Sequence, residues 1–233
     1  MMPRQAKGGD FMAANGAFKE HQGSDYPHML ERMVFFSDAV FAIAITLLVI
    51  EIAVPHIGHF GHHGSSRDYL EALAKLLPSF FGYFLSFFVI GAYWAGHHRG
   101  FGLAATYDSK LVWPNLTMLC FVAFMPFTTA FLSDNMGALV PAIFYNTTLL
   151  ILSLLNLRMI RMVTSPPVVS AEAPAIAIAQ VRARSYGGLA GVALAFVLTP
   201  IVPPALAQVP IITIILWQRL FFARAKKRLG VVE

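Results

Sequence analysis

The chain has 233 residues, of which 57% are apolar and only 12% are charged. A soluble domain carries about 25% charged residues, so this composition excludes an ordinary water-soluble fold and indicates a membrane protein. The formal net charge of +5 could suggest nucleic-acid binding, but the positive residues occur in short segments between apolar runs. That placement is typical of membrane topology, so we expect no nucleic-acid partner.

The first 30 residues mix charged residues with glycines and contain no apolar segment before a cleavage site. We therefore expect no cleaved signal peptide, and we interpret residues 1–30 as a flexible cytoplasmic segment. Cys120 is the only cysteine and lies inside an apolar run. Its expected role is packing, since a single cysteine forms neither an intrachain disulfide nor a thiolate metal cluster.

Six apolar segments follow that are long enough to span a bilayer. Pro126 predicts a kink in the third. Pro200, Pro203 and Pro204 divide a long uncharged stretch into the fifth and sixth, although a re-entrant hairpin is an alternative there. The predicted spans are residues 35–54, 76–98, 111–133, 135–157, 181–199 and 205–222. They form a six-helix transmembrane domain over residues 31–222, followed by a basic tail over residues 223–233.

The positive charges test this topology. If six helices alternate across the membrane, only Arg67 and Lys75 of the 17 Lys and Arg residues fall on the side opposite the termini. The positive-inside rule therefore predicts that both termini are cytoplasmic in a multi-pass protein of the cell membrane. Five spans would break the alternation.

Asp38 is the unusual residue of the first span, because it lies about one turn inside an apolar helix. An unpaired carboxylate there would cost about 2.5 to 3.5 kcal/mol, so Asp38 needs a partner. Trp94, His97 and His98 follow one another at helical spacing near the matching end of the second span. We predict that Trp94 or His98 hydrogen-bonds the region of Ser37 and Asp38, and an interhelical pair of this kind can be purely structural.

Helical periodicity at about 100° per residue places Ile43, Thr46, Leu47 and Ile50 on one face of the first span, with Asp38 pointing roughly 130° away. If this face surrounds a central axis, Asp38 must face a neighbouring helix. From the residues alone, Thr46 is expected to bond back to the carbonyl of Ala42. The three aliphatic residues likewise fit packing or lipid contact better than a specific function.

The sequence from Arg32 to Leu48, R-M-V-F-F-S-D-A-V-F-A-I-A-I-T-L-L, contains the pattern R-x-x-x-F-S-D and resembles the signature of the lysosomal potassium channel family, transmembrane protein 175. Ser86-Phe87 and Trp94-Ala95-Gly96-His97-His98 resemble that family's S-F and W-x-x-H-H patterns. Further similarity occurs at Trp113 to Leu116 and at Pro126 to Thr128. The recognisable motifs cover roughly residues 30–160.

The resemblance implies an all-α integral membrane protein with six transmembrane helices per chain, assembled as a homotetramer whose pore is lined by the first helix. It implies that Ile43 and Ile50 form hydrophobic constrictions, that Leu47 belongs to the same narrow region, and that Thr46 supplies a hydroxyl layer linked to potassium preference. The motif residues are implied to hold the first two membrane helices together near the pore mouth; they are Arg32, Phe36, Ser37, Asp38, Trp94 and His98.

The resulting hypothesis is a passive potassium-permeable channel with a hydrophobic gate and no TVGYG filter. Its expected partners are identical subunits, membrane lipid and monovalent cations; we expect no catalytic residue, cofactor or metal site. The alternatives are a secondary transporter and a proton-permeable channel of the same architecture. His56, His59, His62 and His63 have a spacing that a divalent metal could use, but the glycines around them favour an exposed loop.

Overall fold

The computed structural model describes residues 9–57 and 64–230, with side chains of the first helix described from residue 28 onwards. These parts of the chain form seven α-helices joined by turns and short 3-10 segments, without a β-sheet. The helices are α1 (Gly9–Ile50), α2 (Ser66–Lys75), α3 (Leu77–Phe101), α4 (Val112–Asp134), α5 (Leu139–Val163), α6 (Ala175–Leu198) and α7 (Ile214–Arg228).

Six segments of the described chain are long and apolar enough to cross a membrane. They are His28–Ile50, Leu77–Phe101, Ser109–Asp134, Leu139–Val163, Ala175–Leu198 and Pro204–Arg228. Six spans in an all-α chain confirm the predicted architecture, with the second predicted span corresponding to α3. These helices have the length that a bilayer of about 30 Å requires, as the composition predicts.

Several helix boundaries differ from the predicted ones. Helix α1 begins at Gly9, so residues 9–30 are helical where a flexible segment was expected, and it ends at Ile50 rather than near residue 54. Residues 1–8 lie outside the described chain. Helix α5 continues past Arg158 to Val163, and α7 continues into the predicted tail as far as Arg228. A positive charge near the C-terminus of a helix is favourable for the helix dipole. The first basic residue after an apolar run is therefore not where these helices end.

Helix α2 was not predicted, although its start carries a recognisable signal. The Ser65 hydroxyl accepts a hydrogen bond from the backbone N–H of Asp68, and the Ser65 backbone N–H donates to the Asp68 carboxylate at 2.8 Å, which forms a capping box. The Ser65 hydroxyl also donates to that carboxylate. These bonds hold the pKa of Asp68 below its ordinary value, because they stabilise the charged form.

The sixth span is not one continuous α-helix. It starts with 3-10 turns at Pro204–Leu206 and Val209–Thr213 and becomes α-helical only at Ile214. Proline lacks a backbone N–H, so Pro203, Pro204 and Pro210 prevent regular helical hydrogen bonds through this stretch. The prolines therefore shorten the sixth helix at its start as well as dividing it from α6.

Helices α4 and α5 form the centre of the bundle. In the most apolar segment of each of these two spans, half of the chain is buried. The buried fractions of the corresponding segments of α1 and α3 are 22% and 17%. Helix α1 packs against α3 and α4, α4 packs against α5, α5 against α6, and α6 against α7. The first span is therefore a peripheral helix of the subunit, with one side covered and one side open.

Two glycines allow α6 and α7 to approach closely. A Cβ built on Gly187 would lie 2.6 Å from the backbone nitrogen of Gln218 and 2.8 Å from its Cα, and one on Gly191 would meet the backbone of Ile214 at 3.2 Å. The two glycines lie one turn apart on α6, and small residues at this spacing let the backbone of α7 come close.

We expect Gly187→Ala to lower the thermal unfolding midpoint in detergent, because the added methyl group forces the α7 backbone away from α6. Overpacking of this kind costs about 1 to 3 kcal/mol. Gly188→Ala is the matched control, since a Cβ there meets no heavy atom within 4 Å. Equal midpoints for the two variants, measured by intrinsic fluorescence, would contradict the assignment of Gly187 to the helix contact.

Candidate functional site

The membrane-spanning part of α1 has two distinct faces. Ser37, Phe41, Ala44 and Leu48 are each at most 1% exposed and follow one another at helical spacing against the rest of the bundle. This buried face is fixed by packing on α3 and α4. At about 100° per residue, the opposite side of the helix lies open.

The open side carries the residues that the family resemblance assigns to the pore. Ile43 is 57% exposed, Leu47 is 40% exposed and Ile50 is 71% exposed. Thr46 is also exposed. The centre of this face lies roughly 140° around the helix from the centre of the buried face. Apolar side chains on an uncovered surface of one subunit can contact lipid or another subunit.

The Thr46 hydroxyl bonds within its own helix. It donates to the carbonyls of Ala42 at 3.1 Å and Ile43 at 2.9 Å. The back-bonding expected from the sequence is therefore present. Because this arrangement uses the single hydroxyl proton, the oxygen lone pairs of Thr46 remain available to accept hydrogen bonds or to face a cation.

Asp38 is joined to the next membrane helix in the way that one of the predicted pairings describes. The indole N–H of Trp94 donates to the Asp38 carboxylate over 2.9 Å. His98 does not bond the carboxylate; its ring stacks on Trp94, with centroids 5.6 Å apart and planes inclined by 29°. Trp94 is therefore held on one side by Asp38 of α1 and on the other by a residue of its own helix.

A second connection, one residue away, was not predicted. The Asn115 amide of α4 donates to the Ser37 hydroxyl at 2.8 Å, and Ser37 donates to the carbonyl of Met33 at 2.8 Å. The Asn115 amide oxygen lies 3.0 Å from Nε2 of His97 on α3. Because an amide oxygen only accepts, His97 carries a proton on Nε2. Asn115 thus bridges α1 and α3 from the third span.

The sequence held a partial signal for this bridge. Asn115 lies in the Trp113 to Leu116 motif, and a carboxamide inside an apolar span must find a partner, because no water is present to satisfy it. His97 was recognised only as a neighbour of Trp94 and His98. Which helices an amide joins depends on their packing, and that cannot be obtained from spacing along one helix.

Arg32 and Phe36 are placed apart from this network. Both side chains are exposed, and Phe36 retains 52% of its surface in the isolated subunit. Within the described chain neither makes a side-chain hydrogen bond to α3 or α4. Their implied role in holding the two helices together therefore remains a prediction for the assembled protein.

Further buried hydroxyl contacts fix the scaffold behind α1. The Ser86 hydroxyl lies 3.0 Å from that of Tyr145, and Thr129 donates to Ser86 at 2.7 Å, which joins α3, α4 and α5. Asn146 of α5 donates to Thr199 at 2.7 Å. Such bonds are worth about 0.6 kcal/mol each in a membrane protein on average. Their main effect is to fix the rotation of each helix.

A search of the described residues finds no group of three or more His, Cys, Asp or Glu side chains that could hold a metal ion. Of the four loop histidines, only His56 belongs to this part of the chain. His59, His62 and His63 lie outside the described residues, so their assignment to an exposed loop stays a prediction.

With this geometry in place, the chain can be compared with known proteins. Residues 32–126 match the family described as endosomal/lysosomal potassium channel TMEM175. The matched region holds every residue of the Asp38, Trp94 and Asn115 network and the four candidate pore positions Ile43, Thr46, Leu47 and Ile50. The match covers less than half of the chain, so it shows a similarity to this family over residues 32–126.

Named relatives are similar over a comparable length of chain. A protein named a potassium channel in Streptomyces collinus is 42% identical over 103 residues, which is 44% of this chain and 47% of that protein. The chicken endosomal/lysosomal proton channel TMEM175 is 39% identical over 106 residues, or 43% of this chain and 20% of that one. The matched region therefore spans about half the length of the bacterial relative.

A solved structure extends the similarity to most of the chain. The crystal structure of a lysosomal potassium-selective channel TMEM175 homolog from Chamaesiphon minutus superposes with a TM-score of 0.65 at 28% identity. The superposition covers 85% of this chain and 98% of that chain. The six-span arrangement, including helices that lie beyond residues 32–126, is therefore similar to that of this solved channel.

Proposed function

We propose that this chain is the subunit of a potassium-permeable channel of the cell membrane and that it conducts passively, as the names of its bacterial relatives suggest. The observation that carries the proposal is the two-sided α1 helix. One side is locked to α3 and α4 through Ser37 and Asp38, and the other exposes Ile43, Thr46 and Ile50 in one stripe.

Four copies of the chain arranged around one axis would bring this stripe together into a pore. Ala39 and Ala42 are exposed on the same side of α1. Small residues there would let neighbouring copies of α1 approach closely, as helices do in membranes. The concentration of Lys and Arg in alternate loops supports cytoplasmic termini, so the Arg32 end of the pore would open to the cytoplasm.

In this arrangement the pore is gated by wetting. Rings of Ile43 and Ile50 would form two narrow apolar necks, and such necks hold no continuous column of water until they widen. Between them, a ring of Thr46 oxygens would offer lone pairs to a partly dehydrated cation. Leu47 would line the same narrow region. A hydroxyl ring replaces less of the hydration shell than a carbonyl filter does, so we expect moderate potassium selectivity.

Purified protein in liposomes tests the proposal. With unequal potassium concentrations on the two sides, we expect a current that reverses near the potassium equilibrium potential, without a co-transported ion. Native mass spectrometry of the same sample should give four times the 25.6 kDa subunit mass. A silent but correctly assembled protein would contradict conduction, and a monomer would contradict the pore.

Proton permeation is the alternative that one comparison favours, because the chicken relative is named a proton channel. The same liposomes distinguish the two. A current that follows an imposed pH gradient and ignores the potassium gradient would identify a proton channel. Coupled flux at a fixed ratio of two ions would instead identify a secondary transporter.

A further inference from the structure

A groove on the side of the bundle is lined by residues of α3, α5, α6 and α7 and has a volume of about 510 Å³. Such a volume is typical of clefts that bind small molecules. The groove does not involve the exposed stripe of α1. Along α3 it extends from Phe81 to Arg99, which is about 27 Å of helix, at 1.5 Å per residue. The groove is therefore longer than the hydrocarbon layer of one bilayer leaflet, which is about 15 Å thick.

Most of the groove wall is apolar. Phe84 and Phe88 are 57% and 71% exposed, and Val192 and Ile215 lie on the facing helices. The floor is open at two glycines, since a Cβ on Gly96 or Gly188 would meet no heavy atom within 4 Å. This part of the groove therefore suits a flexible hydrocarbon chain.

Two arginines lie at one end of the groove. Arg99 is in the last turn of α3, and Arg184 lies inside the candidate membrane span of α6. Both side chains line the groove. Within the described chain, the ion pairs found are His28 with Glu31 and Lys75 with Glu71, so neither arginine has a carboxylate within 4 Å.

Two unpaired cations beside a hydrocarbon-facing groove need an anion, because an uncompensated charge inside a membrane span is costly. Polar side chains also cluster at this end, where Asn156 of α5 donates to Ser185 of α6 at 3.3 Å and its own amide oxygen is buried without a described partner. Polarity thus falls from arginines, through amide and hydroxyl groups, to aromatic and aliphatic walls. A phospholipid has the same order of headgroup, glycerol ester and acyl chain.

We propose that this groove binds an anionic phospholipid of the leaflet on the Arg99 side, with its phosphate between Arg99 and Arg184 and one acyl chain along α3. By the distribution of Lys and Arg this leaflet is the cytoplasmic one, where basic pockets between membrane helices bind anionic headgroups. Guanidinium groups suit the phosphate, since they donate two parallel hydrogen bonds to it. The site is separate from the proposed pore.

The full-length protein tests this site by native mass spectrometry in detergent supplemented with phosphatidylglycerol or phosphatidylcholine. We expect the native chain to retain roughly tenfold more phosphatidylglycerol than phosphatidylcholine. The double variant Arg99→Gln with Arg184→Gln should retain the two lipids equally. Arg158→Gln with Arg219→Gln is the matched control, because it removes the same charge from α5 and α7 away from the groove. Loss of the preference in the control as well would overturn the site.

The acyl-chain half has its own test. Gly188→Leu fills the open floor, so we expect weaker retention of both lipids, whereas Gly91→Leu, on α3 and away from the groove lining, is expected to leave retention unchanged. Displacement of phosphatidylglycerol by glycerol 3-phosphate would show that phosphate alone is bound. If the double arginine variant instead loses its oligomeric state and still binds both lipids as before, a second copy of the chain covers the groove. Displacement by glycerol 3-phosphate and loss of the oligomer would each overturn the proposal.

Discussion

Replacement of Ile43 by asparagine is expected to raise the potassium conductance of the proposed channel about tenfold, and Ile50→Asn should act in the same direction. Each amide can hydrogen-bond water, which is worth about 0.5 to 1.5 kcal/mol, and a ring of four would stabilise a wetted neck. A barrier lowered by about 1.4 kcal/mol already corresponds to a factor of ten. Single-channel recording in planar bilayers measures the change.

Val49→Asn is the matched control for both variants. Val49 is 52% exposed, close to the 57% of Ile43, but it lies about 100° around the helix from Ile50. The control should therefore keep the native conductance. An equal gain in all three variants would mean that α1 responds to any polar residue, and no gain at either isoleucine would place the exposed stripe against lipid.

Removal of the Asn115 side chain is expected to lower the thermal midpoint in detergent by roughly 4 to 8 °C. Asn115→Ala deletes the bonds to Ser37 and His97 and leaves the His97 ring buried, with no partner in the described chain for either nitrogen. Two lost interhelical bonds of about 0.6 to 1.7 kcal/mol each give about 2 kcal/mol. For chains of this size, about 2 to 4 °C corresponds to each kcal/mol.

Asn135→Ala controls for loss of an amide, since Asn135 caps the C-terminus of the same helix. Asn135 is exposed, and its side chain bonds only the carbonyl of Phe131 one turn earlier. Its substitution should leave the midpoint almost unchanged. A double-mutant cycle of Asn115→Ala with His97→Phe should be strongly non-additive, since the second change removes a bond that the first has already broken. Additive losses would indicate that the two residues stabilise the bundle independently.

The network also connects stability to the pore. Ser37 and Asp38 lie five to six residues before Ile43, so they hold α1 less than two turns from the first proposed constriction. If α1 rotated freely, Ile43 and Thr46 would lose a common orientation. We therefore expect Asn115→Ala to broaden the distribution of channel conductances as well as to lower the midpoint.

Local sequence determined the six spans, the two faces of α1 and the back-bonding of Thr46. Each depends on spacing within one helix, where a period of 3.6 residues fixes which side chains share a side. The pairing of Asp38 with Trp94 could also be anticipated, since a carboxylate inside an apolar helix must have a donor and both residues lie near matching helix ends. These features required no knowledge of how the helices pack.

Tertiary structure decided what spacing along one helix cannot specify. Asn115 joins Ser37 to His97 because three helices converge there, and those contacts link residues 18 and 78 positions apart. The groove beside Arg99 and Arg184 exists only where four helices leave space between them. Hydrophobic periodicity shows that a face will be covered, but the helix that covers it is chosen by packing and hydrogen bonding among distant parts of the chain.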